Sequence, residues 1–202
     1  MKKSKTLMIV GPLLLLGLFI LPLWRITLQA PQYPVPLGMD IFITKFADAN
    51  ANDIKNINIM NHYVGMADIP ETIPEFKIFP AVIAIMATLG VILGFVGRRK
   101  LYLVWFGLMI ILGSMGMYDF YKWEYEYGHN LKESAAIKFL DKKGEPMAYQ
   151  PPLIGSKMML NFRAISMPQS GAYLMFLGMF MSVLAFYIDK KESSHEESSH
   201  SS

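Results

Sequence analysis

Three side chains able to hold a soft metal fall within the segment NIMNHYVGM, residues 58–66: Met60, His62 and Met66. An imidazole and two thioethers suit copper, above all Cu(I), because thioether sulfur is soft and neutral. Zinc would want more His or carboxylate donors than this segment offers. On a helix, His62 and Met66 would be four residues apart and share a face, while Met60 would point roughly away from them. The bland alternative is that His62 hydrogen-bonds a neighbouring loop and the two methionines pack beneath it. A second candidate lies in YDFYKWEYEYGHN, residues 118–130. Glu126 and His129 have the Glu-x-x-His spacing that metal-binding helical bundles place on one face, although Gly128 between them marks a helix end. The surrounding aromatics otherwise read as a membrane-interface belt. The candidate metal ligands are therefore His62, Met66, Met60 and His129, and the candidate ion is copper.

The rest of the donor inventory narrows this reading. The chain has four histidines, 16 methionines and no cysteine, so disulfides and thiolate chemistry are excluded. His195 and His200 belong to the tail DKKESSHEESSHSS, whose polar, repetitive composition predicts solvated, disordered chain. Met86, Met109, Met175, Met179 and Met181 fall in apolar stretches, where methionine packs irregular gaps. Met39, Met147, Met158, Met159 and Met167 fall in the polar stretches between them. No Ser/His/Asp arrangement, phosphate-binding loop or dinucleotide fingerprint is present, so the chain reads as no enzyme.

The elements that must carry these residues are set by hydropathy. The chain is 53% hydrophobic, above the usual ~45–50% of soluble domains, and the excess is clustered. Residues 7–23, 78–97, 101–118 and 171–188 are uncharged and near the ~17–25 residues that a membrane-crossing helix needs. The predicted fold is an all-α membrane protein with four transmembrane helices and two long, ordered extracytoplasmic loops with room for short strands. Its parts are an N-terminal anchor helix over 1–24, a first outer loop over 25–77, a transmembrane hairpin over 78–118, a second outer loop over 119–170, a fourth transmembrane helix over 171–188 and a disordered cytoplasmic tail over 189–202. A retained anchor is favoured over a cleaved signal peptide, because no small-residue cleavage pattern follows residue 23.

Basic residues give the orientation. Lys2, Lys3 and Lys5, then Arg98, Arg99 and Lys100, then Lys190 and Lys191 fall on one side if there are four crossings, and the positive-inside rule makes that side cytoplasmic. Both termini are then inside a bacterial inner membrane, with the bilayer as first partner. The net charge of +3 reflects this topology, and no basic stripe points to nucleic acid. No predicted helix core holds an ionisable group, which argues against a proton-coupled transporter.

The loops have local patterns of their own. RITLQ alternates, and MDIFITKF has β-branched and aromatic residues at strand-like spacing. NANDIKNINIMNHYVGM predicts a short helix after an Asn or Asp cap. AYQPPLIGSKMMLNF has turn chemistry at Pro151, Pro152 and Gly155 before an apolar run. Segments from the two loops are expected to pair into one compact outer domain.

The motifs LQAPQYP (28–34), INIMNHYVGM (57–66), YDFYKWEYEYGHNL (118–131) and YQPPLIGSKMMLNF (149–162) resemble a family of small bacterial inner-membrane proteins associated with nitrous oxide reductase maturation and copper delivery. The resemblance implies a copper-linked accessory role beside a periplasmic copper protein or a copper-enzyme complex. The competing expectation is a non-catalytic membrane subunit whose outer loops dock a larger complex.

Overall fold

The three longest apolar stretches form α3 (Glu75–Val96), α4 (Arg99–His129) and α5 (Ser170–His200). The computed structural model describes residues 2–132, 148–159 and 161–200, with backbone alone over 193–200. Three helices, Glu75–Val96, Arg99–His129 and Ser170–Glu192, are long and apolar enough to cross a membrane. Ile85 and Phe95 on α3, Val104 and Ile111 on α4, and Phe176 and Phe180 on α5 are exposed. Apolar exposure on this scale is expected of faces turned to lipid rather than to water.

Among the described residues three helices, not the four expected, are each long and apolar enough to cross a membrane; the first apolar stretch runs from the basic end of the bundle to the sheet end, but not as one such helix. The first apolar stretch folds as α1 (Lys3–Leu13) followed by a 3-10 helix at Leu14–Phe19. Alone, α1 covers ~16 Å at 1.5 Å per residue, about half of a ~30 Å hydrocarbon core. Pro12 lies inside it and has no N–H to donate one turn back, which loosens the ladder just before the winding changes. The segment packs along α5 and α3. A Cβ on Gly11 would lie 2.7 Å from the Gly178 carbonyl oxygen, and one on Gly178 would lie 2.5 Å from that of Gly11. Only glycines allow backbones to cross so closely.

The two ends of this bundle differ. At one end Ser4 Oγ donates to Asp189 Oδ1 at 3.0 Å, and Lys5 Nζ donates to the Phe95 carbonyl at 3.2 Å. The three basic clusters all lie at this end. At the other end the Gly171 N–H donates to the Pro22 carbonyl at 2.9 Å, and the Leu23 N–H to that of Ile41 at 2.8 Å. The chain there passes directly from bundle to sheet. Beyond residue 189, where the composition predicted disordered chain, α5 continues to His200; extending an established helix requires no new nucleus.

The all-α expectation is also overturned. β1 (Trp24–Gln29), β2 (Leu37–Ile41), β3 (Phe46–Asp48), β4 (Gly155–Met159) and β5 (Phe162–Pro168) form one five-stranded antiparallel sheet, ordered β3-β2-β1-β5-β4. β1 is central because it pairs with β2 from its own loop and with β5 from the other, Ile26 standing opposite both Met39 and Ser166. The period of two along β1 buries Trp24, Ile26 and Leu28 on one face. On the other face Arg25 reaches its cross-strand neighbour Asp40 with two bonds of 2.6 and 2.7 Å. Polar pairing there and apolar alternation here fix the register, since a slip of one residue would exchange the faces.

Two helices cover the apolar face. α2 (Asp53–Val64) is tied to β2 because Asp53 Oδ2 accepts the Gly38 N–H at 2.8 Å and the Asn50 N–H at 2.9 Å. α4 has 31 residues and is ~46 Å long, so its last turns stand clear of a ~30 Å core. Its apolar part is 101–118; the extension over 119–129 lies against the sheet. Phe120, Trp123 and Tyr127 recur at helical spacing on the buried side, Trp123 stacking on Phe120 at 6.4 Å and on Tyr127 at 5.0 Å. Trp24 meets Phe120 edge-on at 5.9 Å. Part of what reads as an interface belt is thus the seam between α4 and the sheet, while Tyr118, Tyr121 and Tyr125 are exposed.

Candidate functional site

Between the sheet, α2 and the α4 extension is a cavity of about 80 Å³. It is set by the same alternation that orients the sheet: Ile26 and Leu28 of β1, Met39 of β2 and Met159 of β4 all point into it. α2 supplies Met60 and Asn61, Met66 follows just after the helix, and α4 supplies Trp123, Glu124 and Tyr127. Four thioethers from β2, β4, α2 and the turn after α2 therefore line one small space. Met39, Met66 and Met159 are buried and Met60 is partly buried.

Glu124 is the exception to its surroundings. It is 0% exposed, and neither carboxylate oxygen has a hydrogen-bond partner. Burial alone pushes its pKa up to about 8, because desolvation penalises the charged form. The Tyr149 hydroxyl, which lines the same cavity, is likewise buried without a partner, and burial raises its pKa too. Tyr127 is better served: its hydroxyl accepts Asn61 Nδ2 at 3.0 Å and donates to the Ala67 carbonyl. This clasps α2 and the turn after it to α4. Tyr149 is brought in because the chain returns across Gly128, its N–H donating to the Gly128 carbonyl at 2.9 Å. A Cβ on Gly128 would lie 2.7 Å from Gln150 N, so the glycine is required by close approach.

The structure divides the four sequence-predicted ligands. Met60 and Met66 meet in the cavity. His62 is exposed and lines an open cleft of about 930 Å³ on the opposite side of α2. His129 is exposed on α4, its Nδ1 2.8 Å from the Tyr125 carbonyl and its ring stacked on Tyr125 at 4.0 Å. The Glu126 half of the Glu-x-x-His spacing is also at the surface, 3.8 Å from Lys122. Met147 and the side chains of His195 and His200 lie outside the described residues. Among the described residues no group of three or more His, Asp or Glu converges as a metal site. The donor set that does converge is thioether sulfur with one carboxylate, a composition that fits a soft ion such as Cu(I) better than zinc or calcium.

The sequence places Met39 and Met159 among the methionines outside the apolar runs and Glu124 among the ionisable groups of the aromatic stretch, without marking any of them as a ligand, and Tyr149 carries no signal of its own. One signal was present: Glu124 falls four residues after Phe120 and three before Tyr127, a charge set into an aromatic stripe. The chain matches no protein-family model and no curated protein.

Proposed function

We propose that the chain is a membrane-anchored accessory protein that handles Cu(I) on the extracytoplasmic side of a bacterial inner membrane, with both termini cytoplasmic. The observation that supports this is that Met39, Met60, Met66 and Met159 line one small cavity. Methionine alone is ordinary core material; four thioethers around a space that also holds an unpartnered carboxyl form a soft, weakly charged donor set. The orientation follows from the basic clusters at the end of the bundle opposite the sheet. The recipient, a periplasmic copper protein or a copper enzyme such as nitrous oxide reductase, is suggested by the resemblance of the loop motifs.

The test is Cu(I) binding by the purified full chain in detergent, in competition with a chromophoric Cu(I) chelator. Wild type should take up one ion, and a Met60→Leu, Met66→Leu double variant should bind far more weakly while melting close to wild type, since Met-to-Leu exchange conserves volume. Unchanged affinity in the double variant would refute the cavity as the site. A second reading, a non-catalytic membrane subunit whose outer domain docks a larger complex, is favoured by the open cleft beside α2, where Ile59 is 44% and Tyr63 is 52% exposed.

A further inference from the structure

The following rests on the Cu(I) reading of the cavity and concerns what selects the ion. Buried acids elsewhere in the outer domain are fully engaged. Asp40 is paired with Arg25, and Asp53 accepts three N–H donors, from Gly38 and from the backbone and side chain of Asn50. Glu124 has none, although it is more deeply buried than either. Among the described residues no Lys, Arg or His lines the cavity to compensate it. The position lies on the α4 face that also carries Phe120, Trp123 and Tyr127, so an apolar side chain would pack there at no polar cost. A carboxyl that stability alone would exclude, aimed with the Tyr149 hydroxyl into a space lined by four thioethers, is short of a cationic partner.

We propose that Glu124 is the anionic member of the metal site, so that the cavity takes a monovalent soft cation, Cu(I) or Ag(I), and rejects divalent ions. One carboxylate and one monovalent ion make a neutral pair, which a buried site tolerates, whereas a divalent ion would leave a net charge in an apolar enclosure. The thioethers select against hard monovalent ions such as sodium.

The experiment uses the full chain in detergent at fixed neutral pH, with Ag(I) as a redox-inert probe beside Cu(I), and compares wild type, Glu124→Gln and Glu124→Asp. Wild type should bind one Ag(I) and no Zn(II) at the same concentration. Glu124→Gln should weaken Ag(I) binding roughly thirtyfold or more, the range expected when one partner of a buried charge pair is removed, with its melting transition retained. Glu124→Asp, which keeps the charge, should bind better than Glu124→Gln. Equal Ag(I) affinity in wild type and Glu124→Gln, or Zn(II) binding as tight as Ag(I), would overturn the role of Glu124 and leave the thioether site standing. Absence of Ag(I) and Cu(I) binding in wild type would instead remove the Cu(I) reading on which the role depends.

Discussion

Replacing Glu124 with Gln should make the metal-free protein more stable, and by an amount that depends on pH. In the folded chain the carboxyl holds its proton up to about pH 8, against an ordinary value of 4.5. Between these limits the folded state binds more protons than the unfolded state, so stability falls as pH rises from about 4.5 and levels off above about 8. At ~1.4 kcal/mol for each pH unit of that window, the loss amounts to about 5 kcal/mol. Among the described residues the other polar lining groups are the Asn61 amide and the Tyr127 and Tyr149 hydroxyls, and none is a cation that would offset it. Gln has nearly the same shape and no proton to lose, so the variant should lack this contribution entirely. For a chain of this size ~1 kcal/mol moves a melting temperature by about 2–4 °C. The two proteins should therefore melt together near pH 5 and separate by roughly 10–20 °C at pH 9, the variant melting higher. Thermal unfolding of the metal-free chain in detergent, followed by tryptophan fluorescence, would read this through Trp123, which lines the cavity. Melting temperatures that run parallel from pH 5 to pH 9 would refute the burial argument.

Gly128→Val should lower stability by about 1–3 kcal/mol, the cost of forcing a side chain into filled space, because its Cβ meets the backbone of Gln150 at 2.7 Å; a melting temperature within a degree of wild type would contradict the close approach. Arg25→Ala leaves Asp40, 7% exposed, without its partner, and should cost about 1–3 kcal/mol. The Arg25→Ala, Asp40→Ala double variant should recover part of that loss in the same melting experiment. Gly178→Leu, whose Cβ would lie 2.5 Å from the Gly11 carbonyl oxygen, should separate α1 from α5 and expose the N-terminal segment to protease in detergent, while Gly107→Leu, whose Cβ direction is empty to 4 Å, should leave the digestion pattern unchanged.

The helices of the bundle were legible because their signal is local and continuous: Ile78–Gly97 and Gly171–Ile188 are unbroken apolar runs. Leu7–Leu23 has the same composition, and only its winding, α-helical to Leu13 and 3-10 from Leu14, sets it apart. The helix over NANDIKNINIMNHYVGM and the strand at RITLQ were also readable, from a cap and from alternation. The sheet as a whole was not, because its central pairing joins Ile26 to Ser166 across most of the chain, and no local pattern specifies a partner so distant. The same limit governed the site. Met60 and Met66 attracted attention beside His62 because all three are close in sequence, yet α2 turns His62 to the open cleft and Met60 to the cavity. Met39 and Met159 join them only once β2 and β4 have been placed in one sheet.

X-ray absorption on the full chain loaded with one Cu(I) tests the thioether cavity most directly, because it reports the atoms around the ion rather than affinity. The account predicts sulfur as the dominant scatterer, with at most one light oxygen donor, and a spectrum that a His62→Ala, His129→Ala double variant does not change. A first shell of imidazole nitrogen, lost in that double variant, would contradict it and move the site to the exposed histidines.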